Sequence, residues 1–316
     1  MKHLRLSVLT LSTAVAALIA TSTAAAAEYP AKPINVIVPW GAGGDSDLTT
    51  RLWADAMEQE LGKPVVVINK AGGGGVIGTT FVANSKKDGY TLVNAGLSNV
   101  QVTPNFSKTP YDIDSFEPVV KLSSVPFGIL VPANSPYKTF QEFIDAAKAG
   151  TLTQGSWGAA SSGTVLASIV ADQAGYTVKY VHGNTTAESM VDLIGGHIDS
   201  AVSFPPAFGP HVKSGRARLL VLNQAMDEYP GVPTFADFGI KGSFEGWSGI
   251  YAPKGTPKEV IDTLIAASTK AMAKPDVQAA YANIGANVDV RSGDAWIRET
   301  RETYDLMKDA AAKMKQ

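Results

Sequence analysis

The amino-acid sequence predicts an α/β protein of two lobes that enclose a ligand cleft. Short apolar segments alternate along the chain with segments of helical period, an order typical of parallel sheets covered by helices. Two glycine-rich turns, at 41–44 and 72–75, each stand between a predicted strand and a predicted helix. The chain has 316 residues, which is enough for two lobes of ordinary domain size.

The first lobe is predicted to repeat one unit, in which a strand, a glycine-rich turn and a helix follow one another. Its strands are continuous apolar runs, which are typical of strands covered on both faces. Gly62 and Pro64 provide a stop signal for the first helix. The predicted elements are strand 34–38 with helix 47–61, strand 65–68 with helix 76–85, a third strand after Asp88 and Gly89, and a polar connector at 94–117.

The second lobe is predicted to follow the same logic. Thr139 and Glu142 form a capping box at its first helix, and Gly195 and Gly196 end a later one. Its predicted elements are strands at 128–131, 153–158, 176–181, 198–203 and 217–222, and helices at 138–147, at 165–173 and from Thr185 or Thr186 to 194. The chain then returns through a strand at 247–252 to helices at 257–273, from 275, and at 295–314.

With these elements, the chain is predicted to cross from one lobe to the other twice. The first crossing is predicted near 125–130 and the second near 248–251, which assigns residues 28–129 plus 250–316 to lobe 1 and residues 130–249 to lobe 2. Two crossings form a two-strand hinge, the geometry of a clamshell that closes on a ligand.

The N-terminus has the three parts of a secretory signal peptide. Residues 1–5 are basic, residues 6–20 are apolar, and residues 21–27 are small. We therefore expect residues 1–27 to be removed near Ala27 and the protein to be exported, into the periplasm in a Gram-negative bacterium. An uncleaved membrane anchor is the alternative, although the apolar part is short for a membrane span.

Composition narrows the function classes. The net charge is −2, which gives no electrostatic reason to expect nucleic acid as a partner. The chain contains no cysteine, and its four histidines lack metalloprotease spacing, so we expect neither metal nor cofactor. No nucleophile elbow is present, and His182 is the one candidate general base for an enzyme acting on a small acid. We expect a monomer that is not an enzyme.

The glycine turns allow two interpretations, dinucleotide binding or the binding of another anion. Gly73-Gly-Gly-Val-Ile-Gly78 satisfies the dinucleotide pattern, but Asn94 occupies the position where that fingerprint requires an acidic residue. A phosphate loop with lysine is also missing. Backbone N–H groups at two turns on one sheet edge instead predict a site for a small anion.

Other candidate ligand contacts follow predicted strands or begin predicted helices. Each has a purely structural alternative, either helix capping or core packing. The candidates are Trp40, Asp45, Ser98, Asn99, Trp157, Ser161, Ser162, Thr164, Thr185, Thr186 and Phe204. Arg51, one helical turn after Asp47, is predicted to pair with that carboxylate and not with a ligand.

A set of motifs in fixed order carries a family resemblance over the mature chain from Tyr29. They are Ile37-Val-Pro-Trp-Gly-Ala-Gly-Gly44 with Asp47 and Arg51, Gly74-Gly-Val-Ile-Gly78, Asp88-Gly-Tyr-Thr-Leu92, Leu193-Ile-Gly-Gly196, Pro210-His-Val-Lys-Ser-Gly215 and Ala252-Pro-Lys-Gly-Thr-Pro257. In these motifs the chain resembles the periplasmic solute-binding proteins of tripartite tricarboxylate transporters, the Bug family.

The resemblance implies a two-lobe periplasmic-binding-protein fold, type II-like, that captures a small carboxylate for a large and a small membrane subunit. It implies that the first-lobe turns hold one carboxylate, through Ala42, Gly43, Gly44, Gly74 and Gly75. It also implies that the distal end of the ligand meets Ser161, Ser162 and Thr164. By sequence alone, a sensor subunit that presents its ligand to a signalling receptor is not distinguishable from a transport receptor.

Three positions depart from the family pattern. Gly183 stands where the family often has tyrosine, and Ser203, beside Phe204, stands where it often has aspartate. Asp45 adds a negative charge next to the expected anion site, which opposes a carboxylate unless Asp45 faces solvent or meets an amine or a hydroxyl of the ligand. The expected ligand is therefore a small mono- or dicarboxylate, either plain or with an aromatic or hydroxyl group.

Overall fold

The computed structural model describes residues 29–241 and 246–314. The predicted signal peptide, residues 1–27, lies outside the described residues. Within them, two mixed sheets are each covered by helices, and no described helix is both long and apolar enough to cross a membrane.

The first sheet has the strand order β11-β4-β10-β3-β1-β2. These strands are β1 (Ile34–Val38), β2 (Val65–Asn69), β3 (Thr91–Gly96), β4 (Phe116–Val125), β10 (Gly246–Pro253) and β11 (Asn287–Arg291). β1 pairs in parallel with β2 and β3, as the alternation of strands and helices predicts. The other pairings in this sheet are antiparallel, so the parallel arrangement that the alternation predicts is limited to β1, β2 and β3 and the sheet as a whole is mixed.

The second sheet has the order β7-β6-β8-β5-β9. Its strands are β5 (Gly128–Pro132), β6 (Leu152–Ser156), β7 (Val178–His182), β8 (Ser200–Ser203) and β9 (Ala217–Leu222). β6 is parallel to β7 and β8, whereas β5 is antiparallel to β8 and β9. β5 enters this sheet directly from the first sheet and not through a crossover helix, which accounts for its reversed direction.

Apart from α3 and α7, the helices begin and end close to where the sequence places them. The described α-helices are α1 (Asp45–Leu61), α2 (Val76–Ala83), α3 (Thr103–Phe106), α4 (Phe140–Ala149), α5 (Ser162–Ala174), α6 (Thr186–Ile194), α7 (Pro205–Lys213), α8 (Lys258–Met272), α9 (Pro275–Asn283) and α10 (Gly293–Met314). The capping box of Thr139 and Glu142 at α4 is confirmed. α1 packs Trp53 and Met57 into the core, where the Trp53 indole N–H donates to Ser268 Oγ at 3.1 Å.

The structure differs from the sequence prediction in three places: the predicted connector, the strands β4 and β11, and the helix α7. The predicted connector 94–117 holds the end of β3, a π-helical turn at Leu97–Val102, α3 and the first residues of β4. β4 and β11 are not predicted from the sequence, because Lys121 and Asp289 interrupt their apolar patterns. These two side chains form an ion pair of 2.6 Å, and Lys121 is buried by it. α7 is not predicted either, because three prolines in nine residues argue against a helix. Pro205 and Pro206 occupy its first two positions, where proline is tolerated, and Pro210 lies inside it.

The chain passes from the first sheet to the second between β4 and β5, at residues 126–127, and returns between β9 and β10. Buried apolar side chains form the core beneath both sheets, including Trp53, Phe140 and Tyr281. The carboxyl ends of the parallel strands of each sheet face the other lobe, which positions the site described next.

Candidate functional site between the lobes

A cleft of about 470 Å³, including its open mouth, lies between the two lobes. It meets the carboxyl ends of β1, β3, β6 and β8, the place where open α/β sheets bind ligands. The lining residues are Trp40, Gly44, Asp45, Ser46, Gly96, Leu97, Ser98, Asn99, Trp157, Ser162, Thr185, Thr186, Phe204, Gly246 and Trp247. Among these residues Asp45 is the one charged side chain.

Four helices begin at this cleft. α1 starts at Asp45, α5 at Ser162, and α6 at Thr186; α7 follows directly on Phe204. The first N–H groups of a helix have no partner inside the helix, and the helix dipole adds positive potential at that end. α7 begins with two prolines, which have no N–H, so it contributes its dipole alone. The cleft therefore favours negative charge although no Lys, Arg or His is among its described lining residues.

The first glycine turn is held in shape by Asp47. The Gly43 N–H donates to Asp47 Oδ2 at 2.9 Å, and the Asn69 Nδ2 group donates to Oδ1 at 2.9 Å. Arg51 completes this set with a 2.9 Å ion pair, as its spacing predicts. Burial opposes the charge on Asp47, but hydrogen bonds from Arg51, Gly43 and Asn69 outweigh burial and lower the pKa of the carboxyl. Asp47 is thus a structural support for the turn, and the Gly43 N–H is already used.

Ala42 and Gly43 are exposed beside the cleft and are not among its lining residues, whereas Gly44 lines it. Gly44 approaches the second lobe so closely that an added Cβ would lie 3.1 Å from Thr186 Oγ1.

The second glycine turn lies behind a tryptophan. Its four glycines, 72 to 75, all have φ between 60° and 132°, a conformation that other residues rarely adopt. A Cβ on Gly75 would lie 3.0 Å from the Trp40 ring, so the indole stands between this turn and the cleft. Gly74 instead approaches Gly158 of the second lobe. Neither Gly74 nor Gly75 lines the cleft.

Asp45 occupies the N-terminus of α1 and is partly exposed to the cleft. Its Oδ1 accepts one long hydrogen bond, 3.4 Å, from Thr186 Oγ1 of the other lobe. Burial raises the pKa of this carboxyl to about 6, although the backbone N–H groups of Asp45 and Ser46 and the hydroxyls of Thr186 and Ser46 favour its charged form. No cation among the described residues pairs with it.

The second-lobe residues divide into those that line the cleft and those behind it. Ser162, Thr185 and Phe204 line it. Ser161 caps α5 by accepting the Thr164 N–H, and Thr164 Oγ1 donates to Gly158 O at 2.8 Å, so both are engaged behind the lining.

Ser203 ends β8 and is fully buried; its hydroxyl has no hydrogen-bond partner among the described residues.

Hydrogen bonds link the lobes at the edge of the cleft. The Ser162 N–H donates to Ser98 Oγ at 2.9 Å, and Thr103 Oγ1 donates to Ala160 O at 2.8 Å. A Cβ on Gly41 would lie only 2.5 Å from Thr185 Cγ2. The lobes therefore meet through small residues and hydroxyl groups.

Some first-lobe residues that line the cleft were not predicted from the sequence. Trp247, at the start of β10, donates its indole N–H to Gln101 Oε1 at 3.1 Å, and the Gln101 amide donates to Thr300 O at 2.8 Å. Trp247 could have been predicted as a cleft residue, because it is an aromatic residue at the start of β10, the strand that returns to lobe 1. Ser46, Gly96, Leu97 and Gly246 also line the cleft and carried no such signal.

A buried network of amides and hydroxyls supports the floor of the cleft. The Asn94 Nδ2 group donates to Thr50 Oγ1 and Ser248 Oγ, both at 2.8 Å. Asn99 accepts the Gly96 N–H and donates to Thr79 Oγ1. Asn94, the residue that argues against a dinucleotide, therefore joins α1 to the hinge strand β10.

His182 does not line the cleft. It lies at the end of β7, where its Nδ1 is 3.0 Å from Ser156 Oγ, and burial lowers the pKa of its imidazole. No group of three or more acidic, histidine or cysteine residues that could hold a metal ion occurs in the described part of the chain.

The chain was compared with known proteins. The family model of the tripartite tricarboxylate transporter family receptor matches residues 49–316. A relative from Cupriavidus necator, described as the UPF0065 protein in gbd 5'region, is 35% identical over 264 residues, covering 82% of this chain and 80% of that protein.

Two solved structures are similar in fold. One, described as a periplasmic transporter, has a TM-score of 0.87 and 32% identity, and covers 90% of this chain and 98% of its own. The other, MatC from Rhodopseudomonas palustris with bound malate, has a TM-score of 0.83 and 25% identity, and covers 90% of this chain and all of its own. The chain belongs to the tripartite tricarboxylate transporter receptors, a family of solute-binding proteins.

Proposed function

We propose that this protein is a periplasmic receptor that captures a small carboxylate between its lobes and delivers it to the membrane subunits of a tripartite transporter. The observation that carries this proposal is the convergence of four helix dipoles, with backbone N–H groups at the starts of α1, α5 and α6, on one cleft whose described lining has no cation. Such a cleft stabilises an anion through N–H groups, hydroxyls and helix dipoles.

Recognition is proposed to divide between the lobes. Gly44, Ser46 and Ser98 present donors from lobe 1, and Ser162 with Thr186 presents donors from lobe 2. A ligand that touches both sets stabilises the closed arrangement of the lobes, because only that arrangement completes its contacts. MatC, the relative with bound malate, supports a carboxylate as the ligand class. Membership of the tripartite transporter receptor family supports delivery to a large and a small membrane subunit.

The proposal assigns binding, and no chemistry, to the cleft. His182, the histidine that an enzyme hypothesis would use, lies outside the lining. The predicted export to the periplasm fits a receptor role.

Calorimetry with mono- and dicarboxylates of two to eight carbons, together with mass spectrometry of the compound that co-purifies, tests the proposal. At least one carboxylate is expected to bind at micromolar concentration or below. Binding of only neutral compounds, or of amines without a carboxylate, contradicts it. Turnover of the bound compound would contradict the receptor assignment.

A variant with an added negative charge in the cleft tests whether the bound group is an anion, and the same charge outside the cleft serves as its control. Ser162→Asp sets a carboxylate at the start of α5, where a helix tolerates it, and is expected to weaken carboxylate binding at least tenfold through like-charge repulsion. Thr151→Asp adds the same charge at an exposed residue before β6, at the end of that strand away from the cleft, and is expected to leave affinity unchanged. Circular dichroism and urea unfolding establish that both variants are folded.

A further inference from the structure

The cleft contains a carboxylate of its own, and the proposed function leaves that group unexplained. Asp45 lines the cleft, and the described residues offer it hydroxyls and backbone N–H groups but no cation. Its contact to Thr186 Oγ1 is long, at 3.4 Å, and its other donors are the neutral N–H and hydroxyl groups of Asp45 and Ser46, so a cationic group on a ligand meets no competing cation among the described residues. A second carboxylate brought into the same cleft repels this one, unless one of them is protonated or a positive group lies between them.

Aromatic rings line the same cleft. Trp40, Trp157, Trp247 and Phe204 all contribute to it, and the Trp157 and Phe204 ring centroids are 4.9 Å apart. Indole faces attract ammonium groups, most strongly where water is excluded. A carboxylate and aromatic rings in one cleft are a combination that recognises organic cations.

We infer that the ligand is a zwitterion, whose carboxylate binds the helix N-termini while its ammonium group pairs with Asp45 beside the aromatic rings. This inference rests on the proposed function and specifies its substrate class: amino acids or their N-alkylated derivatives, in preference to plain dicarboxylates. The ammonium then neutralises the one charge in the cleft that would otherwise oppose the incoming carboxylate.

Pairs of ligands that share a chain length test this inference. Each ω-amino acid, such as β-alanine or γ-aminobutyrate, is compared with the matching dicarboxylate, succinate or glutarate. Each α-amino acid is compared with the 2-hydroxy acid of the same skeleton. Calorimetry on the full mature protein is expected to show at least tenfold tighter binding of the zwitterion in the pair that fits the cleft.

Substitution of Asp45 supplies the second readout. Asp45→Asn keeps the shape but removes the charge, and is expected to weaken binding of the zwitterion at least tenfold while improving binding of the matching dicarboxylate. Asp145→Asn makes the same change on the exposed face of α4 and is expected to alter neither affinity. Tighter binding of dicarboxylates by the wild-type protein, or no effect of Asp45→Asn on zwitterion binding, overturns the inference.

The pH dependence separates this inference from binding through a protonated Asp45. The groups that face the carboxylate are Ser46 on its own helix and Thr186 on α6, and neither titrates near neutral pH; the Asp47 carboxylate is directed to Gly43, Asn69 and Arg51. Zwitterion affinity is expected to rise as pH rises through about 6. Dicarboxylate binding that strengthens as pH falls indicates proton uptake instead and overturns the inference.

The outcomes also distinguish the two proposals. Dicarboxylates that bind without a preference for zwitterions leave the receptor function in place and remove the zwitterion inference. Failure of every carboxylate to bind removes both.

Discussion

Two aspartates, two residues apart at the start of α1, have opposite environments. Asp47 accepts hydrogen bonds from Gly43 and Asn69 and pairs with Arg51, which together lower its pKa. Asp45 faces the cleft, and burial raises its pKa to about 6. A lowered pKa means that the folded state favours the charge, and a raised pKa means that folding opposes it. Asp47 therefore stabilises the fold, whereas ionised Asp45 opposes folding, as is expected of a residue that serves ligand binding.

Asp47→Asn is expected to lower the free energy of unfolding by about 1–3 kcal/mol at pH 7, because buried donors lose their charged acceptor. The folded pKa lies below the unfolded value of about 3.9, so this stabilisation is present above pH 4 and is lost as pH falls through the folded pKa. Urea unfolding of both proteins between pH 3 and pH 8 measures it. Equal stabilities at pH 7 would contradict the support role.

Asp45→Asn is expected to have the opposite sign. Ionised Asp45 destabilises the unliganded fold, so the substitution raises the free energy of unfolding by about 1–3 kcal/mol at pH 8. The gain shrinks as pH falls from about 6, the folded pKa, and is absent below the unfolded pKa of about 3.9. The same urea series measures it, and a destabilised variant at pH 8 would show that Asp45 has a structural role.

At the scale of elements, two N-caps of the second lobe differ in whether they also line the cleft. Thr139 caps α4 by accepting the Glu142 N–H at 3.2 Å, outside the cleft lining. Thr185 caps α6 by accepting the Glu188 N–H at 2.9 Å, and it also lines the cleft. The local chemistry is the same, and only the position of the helix in the fold makes one of them a candidate contact.

Thr139→Ala and Thr185→Ala are each expected to cost about 1 kcal/mol of stability, the usual worth of an N-cap. Only Thr185→Ala is expected to weaken ligand binding as well, because it changes both the cleft wall and the start of a helix that points at the ligand. Thermal unfolding and calorimetry with the co-purifying ligand make the comparison. A loss of affinity of the same size in Thr139→Ala would show that affinity merely follows stability.

Several elements could be read from the sequence because their signals are local. The strand, turn and helix units of lobe 1, the α4 capping box and the stop of α1 at Gly62, where φ is +61°, all follow from short-range rules. β4 and β11 could not be predicted, since Lys121 is buried in an ion pair with Asp289, a half-buried residue 168 positions away. Pairing across such a separation leaves no trace in a local pattern.

At the scale of the whole molecule, the two lobes approach each other through glycine and hydroxyl side chains. Gly41 has no room for a Cβ in this arrangement, because Thr185 Cγ2 of the other lobe would lie 2.5 Å away. The obstacle lies between the lobes and not within one of them. Closure of the cleft therefore depends on the absence of a side chain at this position.

Gly41→Ala is expected to hold the lobes apart and weaken ligand binding by about 1–3 kcal/mol, the usual cost of overpacking. Small-angle scattering with saturating ligand is expected to show a more open molecule than the wild type. Thr185→Ser removes the clashing Cγ2 and keeps the capping hydroxyl, so Gly41→Ala combined with Thr185→Ser is expected to recover affinity. Failure of this rescue would place the effect inside lobe 1.

The sequence by itself determined the α/β class, the strand, turn and helix units of lobe 1, the family resemblance and ten of the predicted contacts that line the cleft. Those ten are Trp40, Gly44, Asp45, Ser98, Asn99, Trp157, Ser162, Thr185, Thr186 and Phe204. These features depend on local periodicity, turn chemistry and the ends of strands, which short stretches of chain encode. The direction of β4, β5, β10 and β11 is not encoded in that way.

Only the tertiary structure decided which groups at the glycine turns remain available to a ligand. The Gly43 N–H is taken by Asp47, and Trp40 stands between Gly75 and the cleft. It also brought Trp247, from a strand some 200 residues later in the chain, into the same wall. Distance in sequence gives no measure of distance in space, because packing of the two sheets, and not local propensity, sets which side chains share the cleft.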